Sequence, residues 1–406
     1  MHFADGLSLR HLDRMTDSTG LIQHAIYSVP RRESGYTIDD NARALGLCAR
    51  LWRRAPDERM LDRLTVYLSL LEYARRPGGG FHNLMSYQRQ WLDTDTGGDC
   101  QGQAVRALAE VVGSTLPEDC RALARELIDE VLPTLAQLRS LRAQAYVILA
   151  CGHLWEHAGD GGVGGWKSME KLEHVAWLAA QHLLDCYQRS MRPNWRWFES
   201  RMTYANAVLP HALFVAARKW PMEPFTEIAR QSFDFLDRET TRGTVFWPVG
   251  NLGWYPHGEA NAEYDQQPVE ASTMADAALA AFALTGEERH LATLDRARAW
   301  FHGQNSLGRP LTDVRAGACC DGLQRHGINR NQGAESTLAY LWTHVHHAEA
   351  LAAQALARTP AQPPQPQPAG LLAGAQGGPS SHRIGGGFSN GPPSAAPFVP
   401  APTSSS

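Results

Sequence analysis

No segment of this 406-residue chain approaches the ~20 consecutive apolar residues of a membrane span, and its first residues lack a basic start running into an apolar stretch. A soluble, cytoplasmic protein is expected. A surplus of one charge sign is missing too: 38 Lys and Arg against 42 Asp and Glu leave a net charge of −4, with the basic residues scattered. Such a chain has no stripe for nucleic acid or for an anionic membrane. Cysteine is sparse, seven residues lying mostly within helical stretches, which reads as reduced thiols and not a disulfide framework. There is no C-x-x-C pair, no H-E-x-x-H and no G-x-x-x-x-G-K-[ST] phosphate loop, so neither a metal nor a cofactor is expected.

What the chain does have is repetition. Six segments leave a polar, often acidic turn and run directly into an Ala/Leu-rich helix: Asp39 to Leu45, Asp99 to Leu108, Arg142 to Leu149, Tyr204 to Leu213, Asp265 to Leu279 and Asn331 to Leu341. Most successive starts are roughly 60 residues apart, the length of two helices with their loops. Small residues let the six helices pack on both sides, while the intervening segments carry apolar residues at spacings of three and four and can face water. Leu61–Ala74, Glu118–Leu138, Lys171–Tyr187, Phe225–Leu236 and Arg289–Trp300 are of this outer kind. The pattern predicts an all-α, (α/α)6 barrel over residues 1–357, its inner helices starting at one rim. Residues 358–406, dominated by Pro, Ala, Gly, Ser and Gln, cannot bury enough surface to fold and read as a disordered tail.

Polar residues at one rim would converge on one funnel. Asp265, just before Pro268, reads as a helix cap, with Glu270 one turn inside; Gln266, Gln267, Trp254, Tyr255 and His257 lie beside them. Together they supply acid/base groups, hydroxyl partners and stacking faces. A second cluster holds Asp321 and then Asn329, Asn331, Gln332 and Glu335, more than one helix cap needs. Asp39 and Asp40 are adjacent, so one is expected to cap while the other enters the pocket. His82 and Asn83 follow three glycines in a loop able to approach a ligand closely. Trp197, beside Trp195 and Phe198, has Arg201, Tyr204 and Asn206 near it, a set suited to stack on a sugar and read its hydroxyls. His344, His346 and His347, late in the last helix, read as surface or packing residues.

The phrases HLDRMTDSTGLIQHAIYSVPRRESGYTIDDNARAL, GGGFHNLMSY, FWPVGNLGWY, YDQQPVEA and NRNQGAESTLAYL resemble a bacterial family of six-hairpin glycosidase-like proteins. Members are often fused to, or encoded beside, glycosyltransferases and mannoside phosphorylases. The likeness runs from about Leu9 to Leu341 and implies a carbohydrate-active barrel acting on an oligosaccharide or glycoside, with a glycosyltransferase as a possible partner. Where the family tends to read Asp-x-His-Gly-Arg, this chain has Asp99-Cys100-Gln101-Gly102-Gln103, which puts its specificity in question.

The chemistry expected is cleavage or transfer of a glycosidic bond, with Glu335 as proton donor and Asp265, Asp39 or Asp40 as its partner. A sugar epimerase or isomerase using His82 and His257 is one alternative. A non-catalytic glycan-binding partner of a glycosyltransferase is another, because barrels of this kind host all three.

Overall fold

Inner helices of a closed ring must approach one another on two sides, which small side chains allow. The computed structural model describes residues 6–93, 98–157 and 163–358; apart from Arg358, the segment expected to be a tail lies outside them. In chain order the helices are α1 (Arg10–Met15), α2 (Ile38–Arg54), α3 (Glu58–Tyr73), α4 (Gly98–Val112), α5 (Glu118–Leu135), α6 (Leu141–Glu156), α7 (Met169–Ser190), α8 (Val208–Lys219), α9 (Glu223–Glu239), α10 (Pro268–Thr285), α11 (Glu288–Phe301) and α12 (Ala334–Arg358). The even-numbered helices touch in sequence, and α12 returns to α2, closing a ring of six staves. The protein is an (α/α)6 barrel. Its outer layer is α3, α5, α7, α9 and α11, with the six-residue α1 as a short sixth member against α12.

The staves are buried almost all round, as a surrounded helix must be. Every residue of α10 from Pro268 to Ala278 is buried. Backbone meets backbone closely at Gly102, where an added Cβ would stand 2.7 Å from the Ala143 carbonyl oxygen and 2.9 Å from its Cα. Helix starts use ordinary chemistry: Thr37 caps α2 by accepting from the Asp40 amide, and Ser140 caps α6. Two expectations change here. Neither Asp39 nor Asp40 is the cap of α2, and α10 follows Gln267 with no side-chain cap, so Asp265 does not cap it.

Connections differ sharply between the two mouths. From a stave out to the surface the chain mostly needs only a few residues, 55–57, 113–117, 220–222 or 286–287, the link from α6 to α7 being longer, whereas the returns, apart from the short 136–140, run long, as at 191–207, 240–267 and 302–333. Long returns are stitched by two-stranded pairings absent from the all-helical expectation. Tyr36–Thr37 pairs with Leu84–Met85, Arg201–Met202 with Tyr255–Pro256, and Gly322–Gln324 with Gly327–Asn329. These ribbons wall the mouth where the staves begin. No helix among the described residues is long and apolar enough to cross a membrane, and all seven cysteines are free.

Two glycine substitutions separate close packing from helix propensity. Gly102→Ala forces α4 from α6 and is expected to cost about 1–3 kcal/mol. At Gly46 an added Cβ meets only ordinary contacts at 3.4 Å or more. Gly46→Ala is therefore expected to leave stability unchanged or raise it by up to ~1 kcal/mol, both read by urea unfolding.

Candidate active site

Helical spacing puts Asp39, Asp40 and Arg43 on one face of the first turns of α2, and that face meets the start of α12. Arg43 is the hub. One guanidinium nitrogen, Nη2, donates to Asp39 Oδ2 at 2.9 Å; the other, Nη1, donates to Glu335 Oε2 at 2.7 Å and lies 3.9 Å from Asp40 Oδ1. Burial works against charge on both aspartates. Asp39 is pushed up from the usual carboxylate range, with Arg43 opposing; Asp40 is pushed up to about 7. Thr37 Oγ1 donates to Asp40 Oδ2 at 2.7 Å, leaving the other oxygen toward Arg43. At neutral pH Asp40 thus holds a proton part of the time, beside the Arg43–Glu335 ion pair.

This cluster forms the base of a cleft of about 390 Å³. Its walls come from the long returns: Asp265, Asn251 and Gln267 ahead of α10, Asp321 and Asn329 ahead of α12, Asn83 ahead of α4, and His24. Asn83 is held by its Oδ1, which accepts from the Asp39 amide at 3.2 Å. Asp321 accepts from the Gly333 amide at 2.8 Å, and burial pushes its carboxyl upward. The lining is mostly polar and hydrogen-bonding, with Leu84 and Ala334 among its apolar members, and suits a hydroxyl-rich ligand. No group of three or more His, Cys, Asp or Glu side chains is placed to hold a metal ion among the described residues.

Of the residues singled out in the sequence, the cleft gathers Asp39, Asp40, Asn83, Asp265, Gln267, Asp321 and Glu335. Others turn elsewhere. Glu270 is buried against α8, accepting from the Ala205 amide and from Asn206 Nδ2, and burial pushes it up to about 7. Asn206 also clamps the Thr203 backbone, so this pair anchors the start of α8 instead of facing a ligand. Trp197 is fully buried, with Trp195 and Phe198 beside it in the core; it offers no stacking face. Gln266 is buried and bonds the Trp300 indole and the Glu263 carbonyl. Gln332 joins the Tyr27 and His11 contacts through its backbone, and Asn331 Oδ1 receives the Tyr27 amide. His82 stacks on Trp91 at 4.7 Å, Tyr255 donates to Glu239, and His257 lies over Trp195. Arg201 is exposed.

Tyr204 does not begin α8, which starts four residues later. It stands on the rim 42 % exposed, its hydroxyl on Asp99 and its ring over Arg142 at 4.6 Å, with Trp254 at 6.5 Å. Of the two glutamines in the departing Asp99–Gln103 phrase, Gln101 clips the glycine loop by bonding both the amide and the carbonyl of Phe81 at 2.9 Å. Gln103 faces the barrel axis. Of the two roles expected for His346, surface or packing, it takes the second: it is buried and bonded to Asp276.

Arg43 was missed by the sequence reading, as were His24 and Asn251, whereas Asn329 of the second polar cluster does line the cleft. Arg43 had a usable signal, since a cation three and four residues after adjacent acids shares their helix face.

No family model matches the chain, and no curated protein matches it in sequence. Solved structures do share its fold. A sugar epimerase from a ruminal bacterium superposes with a TM-score of 0.64 at 11% identity, covering 85% of this chain and 97% of that one. Cellobiose 2-epimerase from Bacillus thermoamylovorans gives 0.63 at 12%, covering 84% and 96%. An inactive variant of the Salegentibacter α-1,6-mannanase, with two adjacent aspartates replaced and α-1,6-mannotetrose bound, gives 0.55 at 12%, covering 84% and 96%. The chain thus has the six-hairpin toroid that these sugar epimerases and mannanases share.

The raised Asp40 carboxyl has a signed consequence for stability. Its folded value lies above the ordinary one near 3.8, so its contribution is fully present below pH ~4 and is lost as pH rises through about 7. Asp40→Asn is expected to melt above the parent protein at pH 8, by roughly 2–4 °C per kcal/mol recovered. The difference should vanish near pH 4 in paired thermal melts.

Proposed function

We propose that the protein is a carbohydrate-active enzyme that cleaves or transfers a glycosidic bond by acid/base chemistry between carboxyl groups. The observation that carries this reading is the convergence of Asp39, Asp40 and Glu335 on Arg43 at the base of a polar cleft. The sugar epimerases and mannanases of the same fold support the substrate class. Asp40, buried and holding a proton up to about pH 7, suits the donor to the leaving oxygen. Glu335, ion-paired to Arg43, suits the base, which reverses the donor role first assigned to it. Asp265 lines the same cleft.

Epimerisation is the weaker fit because it calls for a pair of histidines, and neither His82 nor His257 is among the cleft-lining residues. Seven free cysteines suit a reducing, cytoplasmic setting. A glycosyltransferase partner is part of the proposal on the strength of the sequence resemblance alone.

Proton NMR of the protein with a panel of manno- and gluco-oligosaccharides tests the reading. New anomeric signals are expected, with turnover falling as pH rises through about 7. Glu335→Gln, with its fold intact by circular dichroism, should lower kcat by about 10²–10⁴-fold. Solvent deuterium entering a free sugar would instead establish epimerisation, and line broadening without new signals a binding module.

A further inference from the structure

Beneath Arg43 the barrel axis holds a second, smaller chamber of about 50 Å³. Its floor is an ion pair across the ring: Arg106 Nη2 on α4 lies 3.5 Å from Asp276 Oδ2 on α10, the stave directly opposite. His346 on α12 bonds the other oxygen of Asp276 and holds it in place. The roof is Glu335, which lines this chamber and the outer cleft alike.

The wall presents polar groups without partners. Gln103, Tyr146 and Ser272 are 5%, 3% and 6% exposed, and the side chain of none of them has a hydrogen-bond partner among the described residues. Amides and hydroxyls in such surroundings are ordinarily bonded, and the polar atoms of these three stay open to the chamber that they line. Arg106 lies 5.9 Å from the Tyr146 ring and 5.8 Å from the Trp342 ring, its charge met by Asp276 without a hydrogen bond. The volume is several times the ~10–15 Å³ that one water occupies, and small beside the outer cleft. Arg106 facing Asp276 and Arg43 facing Glu335 leave no surplus positive charge to draw an anion. Water satisfies this combination of size, polarity and charge.

We infer that the axial chamber is a built water site that delivers the attacking water to Glu335 from inside the barrel, so that the reaction is a hydrolysis. This rests on the glycosidic reading above. Water oxygen bonds the anomeric carbon as its proton passes to Glu335; the bond from that carbon to the leaving oxygen breaks as that oxygen takes the proton of Asp40. Gln103 and Ser272 are positioning residues, acting on the water and not on the sugar.

High-resolution crystallography of the full chain tests the site, and kinetics tests its use. Ordered waters bonded to Gln103 and Ser272 are expected. Ser272→Val should lower kcat about tenfold with KM unchanged, Ser272→Thr should restore it, and added inorganic phosphate should yield no sugar phosphate. A chamber without ordered water overturns the inference, as does a Thr variant no better than Val, or a sugar phosphate among the products. Should the parent protein turn over no glycoside, the glycosidic reading fails and hydrolysis with it, while the crystal structure still decides whether the chamber holds water.

Discussion

Everything at the working end depends on the seam where the last stave meets the first. Five neighbouring contacts in the ring join helices consecutive among the staves, but α12 and α2 are almost the whole domain apart in sequence. Charge holds them at both ends of the seam. Arg43 meets Glu335 near the rim, Arg50 grips Glu349 with paired bonds of 2.7 and 3.0 Å farther down, and the Trp342 indole donates to the Arg43 carbonyl between them. Bonds of this bidentate, partly buried kind are stronger and more directional than surface pairs. The cluster read as chemical is therefore also the clasp of the barrel.

That double use explains the electrostatics. Three carboxyl groups around one guanidinium cannot all be compensated, and the group buried deepest, Asp40, is the one raised to about 7. Arg43, by contrast, is held firmly charged by its acidic neighbours despite its burial. Burial thus pushes Asp39 and Asp40 upward while the shared cation pulls both back. The balance is opposite at the floor, where Asp276 is kept well below the ordinary range by His346, Arg106 and His211 although burial opposes it.

The barrel was legible because its signal is periodic: small residues on the staves and apolar stripes on the outer helices report their surroundings at every turn. Five of the six expected starts fall within a few residues of observed ones. The exception, Tyr204, belongs to a turn in which Ala205 has a φ of +45° and Arg142 pins the Tyr204 carbonyl, neither of which local sequence displays. The site was legible only in part. Glu335 and Asp39 were visible as acids at helix starts, but which way a rim residue turns depends on distant partners. Glu270 is claimed by Asn206, and Trp197 by the core, through contacts made across loops. Aromatic-rich returns look alike in sequence whether they face a ligand or fold back beneath the rim.

The seam also orders events in time. Asp39, Asp40 and Arg43 lie in the first tenth or so of the domain, while Glu335 arrives almost at its end. A chain emerging from the ribosome at ~5–20 residues per second carries the aspartates and their arginine for many seconds before their partner exists. Closure of the ring and assembly of the carboxyl cluster are one event. A nascent or prematurely ended copy thus carries two aspartates and an arginine without the glutamate that completes the cluster, which comes together only when the last stave docks.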